Sequence, residues 1–369
     1  MPYIHQRPDW PKLSWNSDKV LSLLADVRHL QGRLFGSMQS LGFDLRNEAN
    51  LAARTADVLK SSAIEGEKLD QIEVRSSIAR RLGLKFGGST TASRDVEGVV
   101  EMMLDATQNY SSPLTKERLC AWHACLFPTG QSGLRKITVG TWRPAEVEPM
   151  QVVSGPMGRE LVHFEAPSAD RLEREMITFL QWFESERQTD PVLKAAVAHF
   201  WFVTIHPFED GNGRIARAVA DMALSRAEGT KDRFYSMSTQ IETERKAYYF
   251  SLEHNQRGNT DITHWIEWFL ECLRRALKGA DSTIGQVLLK ARAWKIINES
   301  PVNDRQRSVI NRLLNGFEGK LSSSKYAKLT KCSSDTALRD IKELLKRRII
   351  VRESAGGRST SYRLASSLQ

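Results

Sequence analysis

The chain has 369 residues, 41% of them hydrophobic and 26% charged, which is enough for two or three domains and a sizeable apolar core. No apolar run reaches 18 residues, which argues against a transmembrane helix, and the first residues lack the basic and apolar segments of a signal peptide. The four cysteines are scattered without metal-ligand spacing, so we expect reduced thiols in a cytoplasmic protein with no membrane partner.

The net charge of +9 is concentrated at one end of the chain. Residues 301–369 contain 15 Lys and Arg against 6 Asp and Glu, so the first 300 residues are neutral overall. A charge asymmetry of this kind indicates what the chain binds and does not indicate how it folds.

The first 85 residues are predicted to form a helical domain. Apolar side chains recur there at steps of mostly three and four residues, the spacing of one helix face, and Gly42 is expected to end the first helix. A second helix is predicted over residues 48–62. The end of this helix overlaps Ser61-Ser62-Ala63-Ile64-Glu65-Gly66, in which Gly66 can end a helix and Glu65 can be an exposed helix glutamate.

A β-hairpin interrupts the helical pattern after two further helices, predicted over residues 93–110 and 115–127. The β-branched pair Val152 and Val153, the turn at Ser154 and Gly155, and a return run over 160–164 carry this prediction. The hairpin can be a mere connection, but an isolated hairpin in a helical protein needs a reason. Helices over 172–186 and 191–204 follow.

Residues 205–217, Ile-His-Pro-Phe-Glu-Asp-Gly-Asn-Gly-Arg-Ile-Ala-Arg, combine a base with a metal ligand. The imidazole of His206 titrates near neutral pH, and Pro207 makes the turn after it rigid. Asp210 offers an oxygen ligand of the kind that Mg²⁺ prefers when it also holds substrate phosphates.

The same run also predicts a phosphate site. Gly211, Asn212 and Gly213 let successive backbone N–H groups form an anion-binding nest, followed by a helix over 214–224 whose positive end faces the anion. Arg214 and Arg217 are one turn apart, so both can reach one polyphosphate. A calcium loop does not fit, because Arg214 stands where a third oxygen ligand belongs.

This run resembles the signature of the Fic family, His-Pro-Phe-x-(Asp/Glu)-Gly-Asn-Gly-Arg-x-x-Arg, and matches every specified position. Fic proteins are mostly adenylyltransferases, which move AMP from ATP to a hydroxyl side chain of a target protein. The resemblance implies a mainly α fold, ATP as substrate with Mg²⁺ on Asp210, phosphates on the nest and its arginines, and His206 as the base. It also implies a bacterial cytoplasmic protein, and Fic cores often form homodimers.

Three further segments acquire an interpretation from this resemblance. Ser61, Glu65 and Gly66 look like the Fic inhibitory motif, (Ser/Thr)-x-x-x-Glu-(Gly/Asn). The hairpin with Val152, Val153, Ser154 and Gly155 lies where the Fic flap aligns the target by strand addition. Tyr248, Tyr249 and Gln256 lie where the family lines its adenine pocket, although core packing explains Tyr248 equally well.

The segment after residue 299 resembles a winged helix-turn-helix. Helices are predicted over 304–314, 322–329 and 334–347, followed by two strands around a Gly-Gly turn. The predicted recognition helix carries Thr336, Arg339, Lys342 and Lys346, and the wing carries Arg358. Winged helices bind DNA or dock proteins, so residues 303–369 have two candidate partners.

We therefore predict three domains: an N-terminal helical domain (1–85) with the inhibitory motif, a Fic core (86–298) with its flap, and a winged helix (299–369). The predicted function is transfer of AMP from ATP to a target hydroxyl and to the chain itself. The alternatives are removal of AMP by the same site, and a DNA-binding regulator whose core only senses nucleotide. Phosphorylation is disfavoured because kinase-like relatives depart from Gly-Asn-Gly-Arg.

Overall fold

Helices account for most of the chain, as the spacing of its apolar residues predicts. The computed structural model describes residues 2–39, 42–84, 91–145, 149–155, 159, 161–298, 301–314, 317, 319–353 and 360–366. Within these ranges the strands form two-stranded antiparallel sheets. No helix among the described residues has the length and apolar character needed to cross a membrane. The mainly α fold is confirmed.

The N-terminal helices bury one face each. Helix α1 (Ser17–Gln39) buries the apolar side chains Val20, Val27, Leu34 and Met38. Helix α2 (Phe43–Ile64) begins five residues earlier than predicted, because Gly42 is its extended N-cap residue rather than the end of α1. Helix α3 (Gln71–Arg81) starts at Asp70, whose carboxylate accepts the N–H groups of Ile72 and Glu73 at 2.8 and 3.0 Å.

The middle of the chain supplies most of the core. Its elements, in order, are α4 (Arg94–Gln108), α5 (Lys116–Leu126), β1 (Gln131–Ser132), β2 (Arg135–Lys136), β3 (Gln151–Ser154), β4 (Leu161–Glu165), α6 (Ala169–Ser185), α7 (Pro191–Ile205), α8 (Asn212–Glu228), α9 (Met237–Thr243), α10 (Arg245–Gln256) and α11 (Thr263–Ile297). Helices α9 and α10 meet at Glu244, where φ −107° and ψ 26° interrupt the helix. The hairpin β1–β2 was not predicted, because two-residue strands show no alternation.

Helix α7 lies at the centre of this core. Asp190 accepts the N–H of Val192 at 2.8 Å, and Pro191 occupies the first turn, where its missing N–H costs nothing. Every residue from Val192 to Ile205 is buried, so α7 is a central helix surrounded by packing. Its valines and aromatic residues are poor helix formers, but each one buried contributes about 1.5–3 kcal/mol. Packing against α8 and α11 therefore fixes the end of α7, where the Fic-like motif starts.

The C-terminal residues form a second apolar cluster. Helices α12 (Asp304–Leu314), α13 (Ser323–Thr330) and α14 (Ser334–Lys346) precede the antiparallel strands β5 (Ile350–Arg352) and β6 (Tyr362–Leu364), as the sequence pattern predicts. Asp340 joins the three helices, because it accepts hydrogen bonds from Arg305 on α12 and Tyr326 on α13. The last turns of α11 contribute Ala293 and Ile297 to this cluster. Arg358, predicted on the wing, lies outside the described residues.

Candidate active site

His206 lies at the junction between the central helix and the motif turn. It caps the C-terminus of α7 in the left-handed conformation, with φ 54° and ψ 58°. Pro207 follows and cannot continue the helix. Such a backbone is uncommon for a residue with a side chain, so the surroundings must hold it in place.

The hydrogen bonding of His206 defines its tautomer. Its Nδ1 lies 3.2 Å from the carbonyl oxygen of Val203, which can only accept, so Nδ1 carries the proton and Nε2 has a lone pair. Burial lowers the pKa of His206 to about 4, opposed by the Val203 hydrogen bond and assisted by the positive charge of Arg143. The imidazole is therefore neutral at pH 7 and can accept a proton.

The predicted glycine nest is the first turn of a helix. Helix α8 begins at Asn212, two residues earlier than predicted, and Gly211 caps it with φ 80°. A side chain at Gly211 would collide with the Phe127 ring, so the site needs a glycine there. The Asn212 amide accepts the N–H of Phe208 at 2.9 Å and donates to the carbonyl of Phe208 at 2.8 Å, so this side chain closes the turn. The predicted anion site is thus the positive end of α8.

Both arginines of the motif are buried beside that helix end and are paired with carboxylates. Arg217 Nη2 donates to Glu65 Oε1 at 2.8 Å, and Arg214 Nη1 donates to Glu67 Oε2 at 2.7 Å. Arg217 Nη1 and Arg214 Nε are buried without a hydrogen-bond partner among the described residues. Each guanidinium therefore keeps a donor for a further acceptor. Burial disfavours the charge of Arg217, but Glu65 outweighs it and the pKa of Arg217 is raised.

The predicted inhibitory residues lie directly on this anion site. Ser61 holds Arg217 through its hydroxyl at 3.0 Å and its carbonyl at 2.9 Å. Glu65 follows the last residue of α2, and Gly66 turns the chain there with φ 87°. A methyl group on Gly213 would collide with Glu65 Oε1, so the carboxylate is packed against the first turn of α8. An acidic side chain thus occupies the place where an anion is expected.

Asp210 is the one predicted metal ligand. Its Oδ1 accepts the N–H of Gly211 at 2.5 Å, and its Oδ2 accepts the hydroxyl of Ser132 on β1. Across the parts of the chain that the structure describes, no group of three His, Cys, Asp or Glu side chains could hold a metal ion. A lone carboxylate fits Mg²⁺ that is held mainly by substrate phosphates and water, and does not fit a site made of protein ligands alone.

The three residues predicted for the adenine pocket lie in different environments. Tyr248 is buried in the core, where its hydroxyl lies 2.9 Å from His199 Nε2. Gln256 is also buried and donates to Thr204 Oγ1 at 3.2 Å. Tyr249 is 38% exposed, and its hydroxyl lies 3.5 Å from the carbonyl of Ile64, one residue before Glu65. Only Tyr249 of the three has a surface that a ligand can contact.

The predicted flap forms the hairpin β3–β4. Gln151 pairs with Glu165 and Ser154 with Leu161, with a bulge between Val152 and Val153, and Gly155 turns the chain with φ 106°. Side-chain hydrogen bonds hold the hairpin against the C-terminal end of α10. His163 Nδ1 lies 2.8 Å from Glu253, and Arg257 donates to the carbonyls of Val162 and His163 at 2.7 and 3.1 Å.

Three residues of this site were missed at the sequence level. Ser132 contacts Asp210 from the unpredicted hairpin β1–β2. Glu67 pairs with Arg214. The only indication in the sequence is that this second glutamate directly follows Glu65 and Gly66. Arg143 contacts the carbonyl of His206 from the loop before the flap, and no pattern in the sequence around it indicates this contact.

Two family models match the chain. Residues 113–224 match the model described as Fic/DOC family, and residues 3–84 match a model described as a domain of unknown function, DUF4172. Curated relatives named protein adenylyltransferase Fic are 34% identical over 113 residues in Nematostella vectensis and over 104 residues in Drosophila melanogaster. These matches cover 30% and 28% of this chain but only 25% and 20% of the relatives.

Solved structures share the fold along a larger part of the chain. A Fic family protein from Desulfovibrio desulfuricans covers 97% of this chain and 99% of its own, with a TM-score of 0.56 and 24% identity. Residues 134–508 of Fic-1 from C. elegans cover 73% of this chain and 74% of their own, with a TM-score of 0.50 and 18% identity. At these identities the likeness concerns the fold.

Proposed function

Because this chain is a Fic family protein, we propose that it is an adenylyltransferase that moves AMP from ATP to a Ser, Thr or Tyr hydroxyl of a target protein and of itself. One observation carries the proposal: a neutral histidine with a free Nε2 lies in the same turn as a helix N-terminus flanked by two buried arginines. A base beside a polyphosphate site is what this transfer requires. The similarity to relatives named protein adenylyltransferase Fic supports the same reaction.

The ATP phosphates are expected at the first turn of α8. Backbone N–H groups there meet the negative charge, and we expect the buried Arg214 and Arg217 to meet the outer phosphates. Tyr249 is an exposed aromatic residue of α10 whose hydroxyl lies 3.5 Å from the carbonyl of Ile64, and we assign it to the nucleoside. Tyr248 supports the site from the core, since it lies close enough to Arg217 to influence its charge.

The reaction then follows from the position of the base. The target hydroxyl oxygen attacks the α-phosphorus of ATP, the bond between the α-phosphorus and the bridging oxygen to the β-phosphate breaks, and pyrophosphate leaves. The hydroxyl proton passes to Nε2 of His206, which is unprotonated at neutral pH. The arginines and the helix end neutralise the charge of the leaving pyrophosphate, so orientation and electrostatics supply most of the rate.

Asp210 is the residue that would hold Mg²⁺ in this site. Bound there, the ion would neutralise part of the charge of the substrate phosphates. Ser132 and the N–H of Gly211 orient the Asp210 carboxylate for this purpose.

We further propose that the N-terminal domain inhibits this activity through Glu65. The carboxylate takes a donor of Arg217 and lies against Gly213, where a phosphate would otherwise bind. ATP that binds beside Glu65 would have its α-phosphorus out of line with the attacking hydroxyl. The same carboxylate is 31% exposed and could instead orient water for removal of AMP, so both directions need to be assayed.

His206→Ala tests the base. It is combined with Glu65→Gly, because that change is expected to relieve the inhibition. We expect AMP transfer to fall by about 10²- to 10⁴-fold while ATP binding is retained, because the phosphate contacts remain. His29→Ala is the matched control, since His29 is an exposed histidine on α1. Undiminished transfer by His206→Ala would remove His206 from the mechanism.

A second proposed function is DNA binding by the C-terminal residues. Arg339, Lys342 and Lys346 are exposed along one face of α14, whose opposite face carries the buried Ala337, Ile341 and Leu344. The whole net charge of +9 resides in residues 301–369. A basic exposed helix after a turn is the arrangement that places a recognition helix in the major groove.

A further inference from the structure

The segment just before the flap contacts the turn that carries the catalytic base. Arg143 Nε donates to the carbonyl of His206 at 2.9 Å, and Arg143 Nη2 donates to the carbonyl of Pro167. The backbone N–H of Arg143 donates to the carbonyl of Pro207, also at 2.9 Å. One residue therefore binds both carbonyls of the His206–Pro207 turn and ties them to the segment after the flap.

We propose that Arg143 is a positioning residue for His206: it holds the left-handed His206–Pro207 turn and so fixes where the imidazole lies relative to the first turn of α8. This inference rests on the proposed transferase function. Arg143 itself contacts only protein groups among these hydrogen bonds and has no direct part in the chemistry.

The conformation of His206 explains why such a clamp is needed. A residue with a side chain at φ 54° is unusual, and proline at the next position restricts it further. The end of α7 also leaves carbonyl groups without an intrahelical partner. Arg143 satisfies the His206 carbonyl with a charged donor, which is stronger than a neutral one.

Arginine suits this role better than lysine. Its planar guanidinium presents Nε and Nη2 in a fixed fork, so two carbonyls from separate segments can be bound at once. Arg143 is 7% exposed, so water can replace it only poorly. A lysine would retain the positive charge but would lose the two-point contact.

The two properties of Arg143 can be separated by substitution in the Glu65→Gly background. Arg143→Lys retains the charge and loses the fork, whereas Arg143→Gln loses both. We expect both variants to lower kcat for AMP transfer by about 10- to 100-fold with little change in KM for ATP, because a displacement of about 1 Å at the base has this effect. Because the Arg143 charge lowers the pKa of His206, the acid limb of the pH–kcat profile should move to higher pH in Arg143→Gln and stay in place in Arg143→Lys.

Arg226→Lys is the control for general loss of packing. Arg226 is also a partly buried arginine that binds backbone carbonyls, those of Tyr110 and Ser112 at 2.7 and 2.9 Å, and pairs with Glu184. We expect it to lower Tm without lowering kcat per folded molecule. If Arg143→Lys behaves in the same way, the positioning role is overturned and Arg143 is only structural.

Nuclear magnetic resonance of ¹⁵N-histidine-labelled protein tests the clamp without any turnover. In Arg143→Gln we expect His206 to lose its single Nδ1–H tautomer, because the turn no longer holds the ring against Val203. Ring signals of His206 identical to those of the unsubstituted protein would overturn the proposal. If instead the chain transfers no AMP but the His206 signals change as expected, the proposed function fails and the clamp stands.

Discussion

Replacement of Glu65 by glycine tests the link between the N-terminal domain and the active site. The change removes one carboxylate from Arg217 and uncovers Gly213 at the start of α8. Ser61 continues to hold Arg217 through two hydrogen bonds, so the arginine stays in place for ATP. We expect transfer to the chain itself and to targets to increase.

The size of the increase follows from the contact that is lost. A hydrogen bond between charged groups contributes about 1.5–3 kcal/mol, and about 1.4 kcal/mol is a factor of ten, so the limits are roughly 10- and 150-fold. Arg217 is 2% exposed, but the Glu65 side chain is 31% exposed, and water on that side weakens the pair. We therefore expect the lower part of this range.

The assay is the initial rate of incorporation of AMP, measured for the unsubstituted chain and four variants. Arg217→Ala should be inactive with or without Glu65→Gly, because it removes the partner of the phosphate. Lys60→Ala is the matched control on the same helix, since it removes only the ion pair of Lys60 with Glu242 at 3.3 Å. If Glu65→Gly leaves the rate unchanged, or if Lys60→Ala activates as strongly, then Glu65 does not inhibit by occupying Arg217.

Three other outcomes are expected. The rate of AMP transfer by the Glu65→Gly protein should be constant from pH 6 to 8 and fall only near pH 4 in a series of stopped assays. Burial lowers the pKa of His206 to about 4, so the imidazole is protonated and lost as a base only below that pH. A fall in rate near pH 6.5 would contradict this environment of His206. Glu67→Gln should raise the affinity for ATP in isothermal titration because it frees Arg214. The fold-change should be smaller than the fold-increase in rate from Glu65→Gly, since Glu67 is 45% exposed. An unchanged affinity would make this pair a surface contact. The full chain should bind duplex DNA with an affinity that falls steeply with salt, and Arg339→Gln with Lys342→Gln should reduce the slope by about 1 for each residue; no binding at low salt would favour protein docking.

The sequence predicted what depends on local patterns. Apolar spacing located most helices, and the β-branched run with its Gly turn located the hairpin β3–β4. The motif placed His206, Asp210 and the two arginines together, because they lie in one turn and in the first two turns of the helix that follows it.

What depends on distant contacts could not be predicted. Gly211 and Gly213 predicted a loop before the motif helix, but the Asn212 amide closes the turn and lets α8 begin at Asn212. Tyr248 lies on the inner face of α10, and only the packed structure shows that its hydroxyl meets His199. Arg143 is separated from His206 by 63 residues, so no local pattern indicates their contact.

The measurement that tests the central claim most directly is incubation of the Glu65→Gly protein with ATP labelled on either the α- or the γ-phosphate. Transfer of AMP predicts that label from the α-phosphate becomes covalently attached to protein and that label from the γ-phosphate leaves with pyrophosphate. The attachment should disappear in the additional His206→Ala variant. Retention of the γ-label on protein, or retention of neither label by folded protein that binds ATP, would contradict the proposed reaction.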